Sequence, residues 1–121
     1  MLFFVNISFG SGCDVDCELE SKIEKVFRVE DGPYLNFGIY GYITNPYNYP
    51  ISISLNSPNG IYIPSNISIP ANGTYSFGSS NPIIFVPDAG FSGGMDVVTI
   101  EVSTNEGIIC QDELQIDYPN I

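Results

Sequence analysis

Residues 69–102 read IPANGTYSF, then IIFVPDAGFSGG, then MDVVTIEV, and this stretch limits the fold more than any other. Each apolar run has the length of a strand. Each break carries turn chemistry: Pro70-Ala71-Asn72-Gly73, then Pro87-Asp88-Ala89-Gly90. The pattern predicts three successive strands of an antiparallel sandwich.

The flanking sequence continues it. Residues 2–9 predict a first strand, ended by Gly10-Ser11-Gly12. Residues 14–20 alternate, so an extended chain puts Asp14, Asp16, Glu18 and Glu20 on one face and Val15, Cys17 and Leu19 on the other. In residues 21–30, Ile23, Val26 and Phe27 have helical spacing, but the β-branched content favours a strand. After the turn Asp31-Gly32-Pro33, Leu35, Phe37, Ile39 and Ile43 alternate with Tyr34, Asn36, Tyr40 and Tyr42, the signature of a half-buried strand.

Beyond the loop of residues 44–50, Ile51, Ile53 and Leu55 face inward and Ser52 and Ser54 outward. Ser57-Pro58-Asn59-Gly60 turns the chain into residues 61–69, interrupted by Pro64. A proline removes a ladder donor, so this segment is an edge strand or a sheet switch. Residues 96–103 and 108–118 close the domain as a hairpin over Thr104-Asn105-Glu106-Gly107. About eight strands in this arrangement predict an all-β sandwich with Greek-key connections and one domain over residues 1–121. Its expected core holds Phe37, Ile39, Ile53, Leu55, Ile84, Val98 and Ile100.

The order of parts resembles the immunoglobulin-like β-sandwiches of the Hydin and major-sperm-protein type, which recur as bacterial Ig-like modules. The shared parts are the PANGT turn and its strand, an F-x-P strand, a Gly-containing loop and a closing Val/Ile strand. Thr44-Asn45 at a strand end and Pro50-Ile51-Ser52-Ile53 occupy matching places. The resemblance implies an Ig-like fold and a binding or scaffolding role, with no catalytic residue.

Charge narrows the partners. Fourteen acidic residues stand against three basic ones, with no histidine, for a net charge of −11. Such a field disfavours nucleic acid and anionic membrane surfaces. A basic partner surface or a bound cation fits it better. No charged residue occurs between residues 32 and 87, and the cations Lys22, Lys25 and Arg28 sit close together. No run reaches the ~20 apolar residues that span a bilayer. The opening LFFVNISFGSGC lacks the positive start and long apolar core of an export signal.

The three cysteines, Cys13, Cys17 and Cys110, are too few and odd for a disulfide scaffold. On an extended strand Cys13 and Cys17 lie roughly 13 Å apart, too far to bridge. Free buried thiols are expected.

Enzyme chemistry is not expected, since without histidine neither a Ser-His nor a Cys-His pair exists. The ladder of four acids misses the calcium-loop spacing, with Leu19 at its sixth position and Lys25 at its twelfth. It reads as a solvated strand whose charges block aggregation. No metal or cofactor is expected. Acceptor triplets for glycosylation begin at Asn6, Asn66 and Asn72.

The uncharged segment is rich in Tyr, Asn and Ser, the combination that gives antibody paratopes rigid contact area and adaptable hydrogen bonds. Tyr40, Tyr42, Tyr47, Asn48, Tyr49 and Tyr62 are the expected partner-binding residues. The chain opens at Met1 directly into strand sequence, so a small gene carrying one Ig-like module is expected. The expected function is a non-catalytic decoration protein docking on a large assembly, most plausibly a phage capsid or virion surface. The alternative is an adhesion or glycan-binding module of a bacterial cell-surface or secreted protein.

Overall fold

In the computed structural model, which describes residues 17–31 and 34–120, nine strands form two antiparallel sheets packed face to face. β1 (Glu20–Asp31) and β2 (Tyr34–Thr44) form a long hairpin. They are followed by β3 (Ile51–Asn56), β4 (Gly60–Ile63), β5 (Asn66–Ile69), β6 (Thr74–Phe77) and β7 (Ile83–Pro87). β8 (Gly94–Thr104) and β9 (Gly107–Tyr118) close the chain as a second hairpin. The expected first strand, Cys13, Asn6, Asp14, Asp16 and the Gly32-Pro33 turn lie outside the described residues.

The first sheet runs β1-β2-β7-β4, and β6 continues the line of β7 along the same side of β2. The second runs β5-β3-β8-β9. Pro64 marks the switch that the sequence predicts: β4 is an edge of the first sheet, and β5, two residues beyond, is an edge of the second. The β8–β9 turn places Gly107 at φ +115°, a backbone region that side chains disfavour.

Alternation settles what each strand buries. Phe37, Ile39 and Ile43 of β2, Ile51, Ile53 and Leu55 of β3, and Val98, Ile100 and Val102 of β8 fill the space between the sheets. At one end of the sandwich the filling is aromatic. The Phe85 ring stacks on Tyr62 and Tyr118 at 4.7 and 4.8 Å, and Phe91 meets Phe85 and Tyr118 edge-on.

Two expectations about the interior need correction. Ile84 is only half-buried, because β7 turns Ile83 and Phe85 inward. In the run IIFVP the large Phe85 ring sets the phase. The cysteines are not all free: Cys17 is bonded to Cys110, with Cα atoms 5.3 Å apart and 93 residues between them in sequence. The bond forms because the segment before β1 lies along β9, where the Cys17 N–H donates to the Gln111 carbonyl at 3.1 Å.

Candidate functional site

The six tyrosine and asparagine candidates fall into three places. Tyr62 lies in the core at 2% exposure and belongs to no outer surface. Tyr47, Asn48 and Tyr49 sit in the loop between β2 and β3. Tyr40 and Tyr42, both half-buried, are on the outer face of the first sheet, opposite Lys25 and Lys22 of β1.

The Tyr62 interior is a polar cluster that sequence reasoning passed over. Asp96 is 0% exposed and accepts hydrogen bonds from the Ser57 hydroxyl at 2.7 Å, the Asn59 amide at 2.6 Å and the Tyr62 phenol at 2.5 Å. Tyr62 spends its proton on Asp96, so the Tyr118 hydroxyl, 3.0 Å away, donates to the Tyr62 oxygen. Burial above all, then the hydrogen bond to Asp96, raises the Tyr62 pKa far above the ordinary tyrosine value. Burial also raises Tyr118; its bond to Tyr62 opposes the rise and the charge of Asp96 adds to it. The cluster ties the β3–β4 turn to β8 and β9; Tyr62, Asp96 and Tyr118 are buried, and Ser57 and Asn59 are half-buried at its rim. A sign of it was present in the sequence: Asp96 is in phase with Val98, Ile100 and Val102, on the inward face.

The β2–β3 loop is built on a second buried polar residue, Asn45. Its amide donates to the carbonyls of Tyr49 at 2.9 Å and Pro70 at 3.0 Å, and its side-chain oxygen accepts the Tyr47 N–H at 2.9 Å. Tyr47 packs against the core, and its hydroxyl lies 3.3 Å from the Glu18 N–H and 3.8 Å from the Cys110 sulfur. It is therefore a structural residue of the loop as well as a surface one. Tyr49, 39% exposed, stacks on Tyr47 with ring centroids 5.3 Å apart.

Over β4 and β7 the outer face of the first sheet is apolar. Cross-strand partners share a face, and the register aligns Ile63 with Ile84, Ile84 with Gly38, and Gly38 with Phe27. Ile61 pairs with Val86 beside them. Ile61 and Ile63 are 60% and 52% exposed. Gly38 is a notch under the Phe27 ring, which a Cβ there would strike. Phe27 meets Tyr40 edge-on at 4.9 Å, and the Lys25 ammonium lies 5.3 and 5.7 Å from the two ring centroids. These contacts hold the lysine over an aromatic pair.

The opposite face differs in kind. The register of β3, β5, β8 and β9 puts Ser52, Ser54, Ser68, Thr99, Glu101, Ser103, Gln111 and Glu113 on the outside of the second sheet. At the edge of that face, Tyr49, Ser52, Ser68, Ser103, Thr104 and Asn105 line an open groove of about 550 Å³. Of the expected acidic ladder, Glu18 and Glu20 are exposed while Cys17 is buried and Leu19 half-buried, as alternation requires. Among the described residues no group of three His, Cys, Asp or Glu side chains is arranged to hold a metal ion.

No protein-family model matches the chain, and no curated protein matches it.

Proposed function

We propose that the chain is a non-catalytic structural module, an Ig-like sandwich that docks on a large assembly, with a phage capsid or other virion surface as the first candidate. The observation that carries this reading is the uncharged apolar patch of Ile61, Ile63, Ile84 and Val86 on the outer face of the first sheet. Burying such side chains against a partner is favourable, whereas the carboxylates elsewhere would have to be desolvated. Lys22, Lys25, Phe27, Tyr40 and Tyr42 flank the patch and suit a partner with acidic groups around an apolar centre.

The Ig-like assignment draws support from strand order. Lettered by the immunoglobulin convention, β4-β7-β2-β1 corresponds to D-E-B-A and β3-β8-β9 to C-F-G. β5 adds an edge strand beside β3, but it follows β4 in the chain. The disulfide joins the segment before β1 to β9 and not the B and F strands.

Mass spectrometry of purified particles tests the docking reading: the protein is expected in stoichiometric amounts, and its absence overturns the virion assignment. The disulfide favours a second reading, a module of a bacterial cell-surface or secreted protein, because disulfides persist in oxidising surroundings. Recovery in the surface fraction, and not in particles, selects it.

A further inference from the structure

The groove on the second sheet has a composition unlike the docking face. Ser68, Ser52 and Ser103 are register partners in a row across β5, β3 and β8. Adjacent strands lie ~4.8 Å apart, so the row is a ladder of hydroxyls at regular spacing. Thr104, the last residue of β8, and Asn105, in the turn that follows, lie at one end of it. Tyr49 stands beside them, its ring backed by Tyr47 at an interplanar angle of 16°. Tyr47 is in turn fixed by the Asn45 hydrogen bond and by packing on the core, so the exposed ring is held before any ligand arrives.

The chemistry of the lining selects a ligand class. The volume of about 550 Å³ is that of a small-molecule site. Glu106 is the one charged lining residue, in a chain of net charge −11, so phosphates and other anions are repelled. The lining mixes apolar side chains, Tyr49, Pro50 and Ile109, with the hydroxyl and amide groups of Ser52, Ser68, Ser103, Thr104 and Asn105, so it suits an amphipathic ligand better than a purely aliphatic or a purely polar one. A neutral polyol with one C–H face meets both demands: the face stacks on an aromatic ring while the hydroxyls exchange hydrogen bonds with serines and asparagine.

We propose that this groove binds a neutral oligosaccharide, with Tyr49 as the stacking platform and the Ser68-Ser52-Ser103 row, Thr104 and Asn105 as its hydrogen-bonding wall. The proposal deepens the cell-surface reading and rests on it. It uses none of the side chains of the docking face, so the two fail separately.

The test is an NMR shift titration of the oxidised protein with neutral gluco-, manno-, galacto- and N-acetylglucosamine-based oligosaccharides at millimolar concentration. At least one is expected to shift amides of residues 49–52, 68 and 103–106. Tyr49→Ala is expected to weaken it about three- to tenfold, with Tyr49→Phe near the wild type. Ser68→Lys, at an exposed strand position, fills the groove without touching the loop and is expected to abolish binding. Tyr40→Ala, on the opposite face, is expected to leave it unchanged. Absence of any shift across the panel overturns the proposal. So does binding that survives both Tyr49→Ala and Ser68→Lys, or shifts confined to the outer face of the first sheet.

Discussion

The Tyr62 phenol donates to the Asp96 carboxylate at 2.5 Å in the interior of the sandwich, joining an edge strand of one sheet to a central strand of the other. Both side chains are closed to water. Removing the acceptor strands three donors, from Ser57, Asn59 and Tyr62. Asp96→Ala is expected to cost roughly 3 kcal/mol or more in urea denaturation, because buried groups then lose their partner. A loss below about 0.5 kcal/mol, the range of ordinary surface changes, would place Asp96 outside the core.

The same cluster sets an alkaline limit on stability. Tyr62 and Tyr118 have pKa values raised in the fold, so the folded state holds these protons more tightly than the unfolded chain does. Their contribution is complete below the unfolded tyrosine value of about 10 and is lost as pH rises beyond it toward the folded values. Melting temperature is expected to fall above that pH. In an ultraviolet titration, two of the eight tyrosines should ionise only on unfolding. Tyr118→Phe should leave one such tyrosine; a smooth titration of all eight in the native protein would contradict the cluster.

The Cys17–Cys110 bond closes a loop of 93 residues in sequence separation. Chain-entropy reasoning gives about 2–5 kcal/mol for such a crosslink. Denaturation of the oxidised protein against the Cys17→Ser variant should show a loss of that order. Equal midpoints would mean that the segment before β1 is not held against β9.

The phase of β7 separates two neighbouring isoleucines. Ile83→Ala empties a buried site and is expected to cost about 2–5 kcal/mol, as is Ile100→Ala in β8. Ile84→Ala, on the outer face, is expected to cost less than about 1.5 kcal/mol. The reverse order would mean a one-residue slip of the strand, which exchanges its two faces.

Much of this architecture is legible from alternation and turn chemistry. The inward residues of β2, β3 and β8, the closing hairpin and the sheet switch at Pro64 follow from local pattern, because local pattern decides which side chains share a face. What depends on distant partners is not legible in the same way. In Gly60-Ile61-Tyr62-Ile63 the tyrosine is buried and the isoleucines exposed, an order that makes sense only with Asp96 lying 34 residues away to receive the phenol. Cys17 and Cys110 meet only because the segment before β1 runs beside β9. Tyr47 reads as a free loop residue until Asn45 is seen to anchor the loop from beneath.

The most direct measurement is co-sedimentation of the protein with purified particles, comparing the wild type with Ile61→Asp/Ile63→Asp and with Glu101→Gln/Glu113→Gln. The aspartates place charge in the apolar patch of the first sheet, and the glutamines remove it from the opposite face. Docking through the first sheet predicts a loss of at least about 30-fold for the aspartate pair, with the melting temperature close to wild type, and little change for the glutamine pair. Full binding by the aspartate variant, or loss of binding by the glutamine variant alone, would contradict it.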